Sequence, residues 1–152
     1  MSKKFIYKYL SVEELKSISA KIGEIEKTTS GELVITLKEK RNLLEKHKSV
    51  HSLAEKEFVS AKIGKTKGST GILFFIIFNV KGFSILADKG IHEKVDQSVW
   101  DEIAKNISDN FKNEKYFSGL VNGIERAGKI LAAHFPIQLG DINELPNEVR
   151  IT

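Results

Sequence analysis

The sequence predicts an α/β domain, a small mixed β-sheet with helices packed on both faces. Three observations carry that prediction. Two short apolar runs are bounded by turn residues, amphipathic helical periodicity flanks them, and a four-residue turn can fold the second run back into a third strand. At 152 residues, with 41% apolar and 29% charged side chains and only two prolines, the chain is sized and composed for one folded domain.

The first predicted helix covers about residues 12–28. Ser11-x-x-Glu14 is a capping-box pattern, and Val12, Leu15, Ile18, Ile22 and Ile25 recur at helical spacing. Thr28-Thr29-Ser30-Gly31 stops it, and Glu32 to Leu37 reads as a buried strand. From Asn42 the spacing of Leu43, Leu44, Val50, Leu53, Ala54, Phe58 and Ala61 predicts a second helix, closed by Gly64 as a left-handed cap. The polar loop 65–71 leads into Ile72 to Phe78, a continuous apolar run suited to a central strand covered on both faces. Asn79 to Gly82 turns the chain into Phe83 to Ala87, an antiparallel partner. Two amphipathic helices follow, one carrying Val99, Trp100, Ile103, Ile107 and Phe111, the other Phe117, Leu120, Ile124, Ala127 and Leu131. Pro136 ends the last helix and opens an extended arm.

Composition excludes several function classes. With no cysteine there is no thiolate zinc site, iron–sulfur centre or cysteine nucleophile. The apolar stretch near the amino terminus is broken by Lys8, and the run 72–78 is far below the ~20 residues of a spanning helix, so a cytoplasmic protein without a transmembrane segment is expected. Only Arg41, Arg126 and Arg150 are arginines, against 21 lysines, which argues against nucleic acid as the partner despite the net charge of +4.

Several landmarks together resemble the TPM domain. They are Thr29-Ser30-Gly31-Glu32 entering a strand, Phe58 before Gly64-Lys65-Thr66, Gly71-Ile72-Leu73 opening the next strand, Gly90-Ile91, and Tyr116-Phe117-x-Gly119-Leu120-x-x-Gly123-Ile124. The resemblance divides the chain into an N-terminal segment 1–10, a TPM-type domain 11–134 and a C-terminal arm 135–152. Phe135-Pro136 and Asn143-Glu144-Leu145-Pro146 are similar to the tail of a compact, stand-alone bacterial subgroup without signal sequence or anchor. It implies a TPM-type sandwich, a divalent-cation site in an acidic patch, and weak phosphatase activity. Members with the acidic site commonly carry Asp before the first helix and Gly-Tyr-Gly after the third strand. Here Ser11-Val12-Glu13 and Asp88-Lys89-Gly90 stand in those places, so a metal site must use other residues or be absent.

The residues themselves offer three candidates. His47 and His51, four apart on the expected helix, have metal-ligand spacing, but Lys48 stands where a zinc hydrolase has its glutamate, and the surface reading is preferred. Carboxylates are stronger. With the first two strands parallel and the third antiparallel, Glu32, Gly71 and Asp88 fall at one edge of the sheet, where Glu93, Asp96 and Asp101 could join Glu32 and Asp88 around calcium or magnesium. The competing reading has Asp96 or Ser98 capping a helix and Glu32 solvated. No organic cofactor is indicated. The third candidate is the basic segment 38–67, with nine Lys or Arg against four acids, which could attract an anionic partner. Gly64-Lys65-Thr66 is not a phosphate loop, because Val59 replaces its first glycine and a helix precedes it. Gly119, Gly123 and Gly128 mark close packing, expected against the sheet.

These features predict a binding or accessory module that binds a divalent cation, calcium foremost, and an unidentified protein partner. The alternative is a weak metal-dependent phosphomonoesterase, which would work through metal-bound water.

Overall fold

Strand β1, Glu32–Lys38, and strand β2, Gly71–Ile77, run parallel in register from Glu32 opposite Gly71 to Lys38 opposite Ile77 in the computed structural model, which describes residues 3–152. Strand β3, Gly82–Ala87, returns antiparallel to β2, and a two-residue strand β4, Arg150–Ile151, lies parallel to β1, giving the order β3-β2-β1-β4. Residue alternation sorts the two cores. Leu33, Ile35, Leu37, Ile72, Phe74 and Ile76 face one side, while Val34, Leu73, Phe75 and Ile77 face the other. Both sides are covered, so the central run is apolar throughout.

The larger core is roofed by helices α1 (Val12–Glu26), α4 (Gln97–Lys112) and α5 (Tyr116–His134). The Ser11 box is made on both sides, Ser11 Oγ accepting from Glu14 N at 3.0 Å and Glu14 Oε1 from Ser11 N at 2.9 Å. Helix α2 (Val50–Ser60) covers the opposite face with Leu145 of the arm. A single helical turn α3, Lys89–His92, precedes α4.

Local chemistry overrides periodicity in the 42–65 region. The expected helix from Asn42 is two pieces, because Asn42 closes a capping box with Glu45 around a 3-10 turn, and Ser49 then caps α2 afresh. Leu43 and Leu44 are therefore outside the core, 79% and 90% exposed. Gly64 is not the left-handed cap; Lys62, at φ 58°, takes that conformation. Nor do the glycines of α5 meet the sheet. A Cβ on Gly123 would lie 2.6 Å from Ile107 Cδ1 of α4, and one on Gly128 would lie 2.8 Å from Ile25 of α1, so the close approach is between helices.

Of the segment 1–10, residues 1 and 2 lie outside the described residues, while Phe5, Ile6 and Leu10 are buried in the larger core. Tyr9 stacks on Phe78 with ring centroids 4.2 Å apart.

Candidate functional site

The edge where β1 and β2 begin is laced shut by hydrogen bonds. Thr29 Oγ1 donates to the Phe135 carbonyl and accepts from Gly31 N, Glu32 N donates to Thr70 O, and Asp88 N donates to Gly71 O at 2.9 Å. Across this edge lies the C-terminal arm. Glu32, only 4% exposed, holds it, with Oε1 accepting from Glu144 N at 2.7 Å and Leu145 N at 2.6 Å. Glu144 in turn accepts from Lys67 N at 3.1 Å. The expectation of a solvated Glu32 is corrected: its charge is spent on two backbone donors that a loop cannot satisfy by itself.

Beneath the arm is a cleft of about 550 Å³ lined by Glu26, Glu32, Lys67, Thr70, Asp141 and Glu144, among others. Glu26 closes the last turn of α1. Its Oε2 accepts from Leu33 N at 3.0 Å, and its Oε1 is buried with no hydrogen-bond donor. Burial pushes the Glu26 carboxyl up to about 7, against the lowering effect of the Leu33 N–H, and the Glu32 charge adds to the rise. Glu32 is also raised, by burial first and by Glu144 last, with its two backbone donors opposing.

The other predicted ligands are dispersed. Asp88 is the N-cap of α3, accepting from Lys89 N at 2.8 Å, and Asp96 is the N-cap of α4, where the Ser98 hydroxyl and amide hold its carboxyl below the usual range. Asp96, not Ser98, is therefore the cap. Asp101 accepts from Gln97 Nε2 at 2.9 Å, and Glu93 is exposed just beyond α3. Asp88 and Asp101 share a second cleft with His51, Glu55 and His92 on the α2 side. Glu32 alone belongs to the cleft under the arm. Among the described residues, no group of three or more His, Asp or Glu side chains is close enough to hold a metal ion.

His47 precedes α2, so the two histidines do not share a helix. His51 instead sits 3.8 Å from Glu55 and 3.5 Å from Ser84 Oγ. The basic segment is also divided, because α2, about 16 Å long, separates Lys40–Lys48 from Lys62–Lys67. Glu26 was missed by spacing that does register it: it continues the buried row Ile18, Ile22 at the next i+4 position.

A family model described as the TPM domain matches residues 7–130. The chain belongs to the TPM domain family. The BA42 protein of the psychrophilic bacterium Bizionia argentinensis has an NMR structure 36% identical in sequence, with TM-score 0.83, covering 95% of this chain and 96% of that one. Two N-terminal domains known from solution NMR share the fold. One, from P. gingivalis, is 15% identical over 84% of this chain and 79% of its own, with TM-score 0.67. The other, from Corynebacterium glutamicum, is 8% identical over 89% and 81%, with TM-score 0.62. No curated protein matches the sequence. In this TPM domain the Asp88-Lys89-Gly90 departure builds α3, whose Gly90 is pressed against the 68–69 backbone; a Cβ there would sit 2.5 Å from the carbonyls of Gly68 and Ser69. No helix among the described residues is long and apolar enough to cross a membrane.

Proposed function

We propose that this TPM domain is a binding or accessory module that takes a hard divalent cation, calcium or magnesium, in the cleft under the arm, with Glu26 and Glu32 as its charged ligands. The observation that carries this reading is Glu26 Oε1, a buried carboxylate oxygen without a donor, on a carboxyl that burial and the Glu32 charge have driven up to about 7. A divalent ion relieves both the missing partner and the repulsion, and two carboxylates completed by carbonyl and water oxygens suit such an ion. Asp88, Asp96 and Asp101 are engaged in caps and in the Gln97 contact, and Glu93 is exposed beyond α3 and does not line the cleft, which leaves Glu32 as the member of the predicted set that this site uses.

Titration of calcium and of magnesium into chelator-treated protein, followed by backbone amide shifts, tests the reading. Shifts are expected at residues 26–33, 66–70 and 138–145, with a dissociation constant of about 0.1–1 mM, as for weakly charged oxygen sites. Binding should tighten as pH rises through 7, since protons and the cation compete for Glu26, and Glu32→Gln should weaken it at least tenfold. Lys67→Ala should tighten it by removing an opposing charge. Shifts confined to Asp88, Glu93, Asp96 and Asp101, or the absence of shifts, would refute this site. Metal-dependent hydrolysis of a phosphate ester, lost in Glu32→Gln, would replace the binding-module reading with the phosphomonoesterase one.

A further inference from the structure

At the opposite edge of the sheet, where β1 and β2 end, Leu43 and Leu44 stand 79% and 90% exposed on a turn that is far from slack. Asn42 Oδ1 accepts from Leu44 N at 3.0 Å, and Glu45 Oε1 accepts from Asn42 N at 3.0 Å. Glu45 is buried and ion-paired to Lys38 at 3.5 Å, and Arg41 Nε donates to Lys48 O at 2.9 Å across the base of the loop. The structure thus holds two adjacent leucines out in water by four defined contacts, an arrangement that gains nothing for the fold by burial. Around them Lys40, Arg41, Lys46 and Lys48 form no ion pair among the described residues, and of the two acids in residues 39–48 Glu45 is paired with Lys38, so that half-buried Glu39 leaves the four cations in excess. The β2–β3 turn adds exposed Val80 and Lys81 to the same edge, where Asn79 N donates to Glu39 O at 2.8 Å.

We propose that this turn is a membrane-surface anchor, Leu43 and Leu44 entering the headgroup boundary of an anionic bilayer while Lys40, Arg41, Lys46 and Lys48 meet its charge. An apolar tip in a cationic collar is complementary to a negatively charged interface, which needs no shaped groove to receive it. Residues 39–48 contain no Phe, Tyr or Trp for base stacking and a single arginine, which disfavours nucleic acid as the occupant. Each collar cation near such a surface strengthens binding about fivefold, so the site is a reversible one.

The test is co-sedimentation with vesicles of phosphatidylcholine alone or with roughly a third phosphatidylserine. Binding is expected to the anionic vesicles only, falling steeply as salt is raised to about 0.15 M. Leu43→Ser with Leu44→Ser should lower it at least tenfold with the melting curve unchanged, and Lys46→Glu with Lys48→Glu should do the same. Leu44→Trp supplies a direct readout of insertion, because the native Trp100 is fully buried and gives a constant background: its emission should shift to the blue with anionic vesicles. Equal binding to both vesicle types, binding indifferent to the leucine pair, or an unshifted Leu44→Trp emission would overturn the anchor. So would salt-sensitive capture of a nucleic-acid homopolymer without vesicle binding.

Discussion

The two edges of the sheet are made by the same strands and treat charge in opposite ways. Where β1 and β2 begin, the carboxylates of Glu26 and Glu32 are turned inward onto the backbone amides of Leu33, Glu144 and Leu145. Where the strands end, Lys40, Lys46, Lys48 and two leucines are left in solvent. One edge uses polar groups to hold the chain together and stability depends on them; the other is rigid by its own local contacts, and its exposed side chains are free to serve binding. Substitutions at the two edges should therefore separate cleanly into those that unfold and those that do not.

The largest effect is expected at Gly90, where a methyl group meets two main-chain carbonyls that cannot step aside. Gly90→Ala should cost about 3 kcal/mol in denaturant unfolding; a loss below ~1 kcal/mol would show that the 66–70 loop yields and that the first edge is softer than its hydrogen bonds suggest. Next, Glu32→Ala leaves the amides of Glu144 and Leu145 without their acceptor and should cost about 2–3 kcal/mol, with amide exchange rising first across 138–146. Exchange unchanged in the arm would mean that it is held by something other than Glu32.

A smaller effect follows from Glu26. Its carboxyl is raised from 4.5 to about 7 in the fold, so the folded state binds the proton more tightly than the unfolded chain. The resulting stabilisation is complete below about pH 4.5 and is lost as pH rises through 7. The shift corresponds to about 3 kcal/mol for a fully buried group, and partial exposure reduces the expectation to about 1–2 kcal/mol. Urea midpoints at pH 5 and pH 8 should show it, and Glu26→Gln should flatten the difference. The smallest effect is at the far edge: Leu43→Ser with Leu44→Ser should change stability by less than about 0.5 kcal/mol. A larger loss would erase the contrast and return those leucines to the core.

How legible these edges were follows from the range of the interactions that build them. Strand pairing, sheet order within 32–87 and the main helices are written in local periodicity, because period two and period 3.6 are properties of a single segment. The same periodicity misplaced Leu43 and Leu44, since the Asn42–Glu45 box and the Ser49 cap are local polar bonds that a hydrophobic count does not weigh. Glu32 was correctly set at the edge with Asp88, yet its partners lie 112 and 113 residues away, and no spacing in the sequence announces that an arm will return to it. Asp96 was legible as a helix-start residue, whereas Asp88, read as the end of the third strand and as a ligand, caps the single turn α3 that periodicity did not place. Their grouping around one ion was inferred from the edge they share and not from where a capping side chain must point.

The two-residue strand β4 has a consequence for solubility. It is fastened by Arg150 Nε to Glu57 Oε2 at 2.9 Å and by Thr152 N to Leu37 O, and it covers β1 only at Thr36 and Leu37. Further up, Glu26 occupies the outward amide of Leu33. Between them, these contacts mask the outer rim of Leu33-Val34-Ile35-Thr36-Leu37, an uncharged stretch with three β-branched residues of the kind that recruits like strands when its amides are bare. The tail is thus a guard against self-templating: a chain clipped before Arg150 keeps both cores but presents an adhesive border, and its first failure is aggregation at rest, visible as light scattering well below its melting temperature.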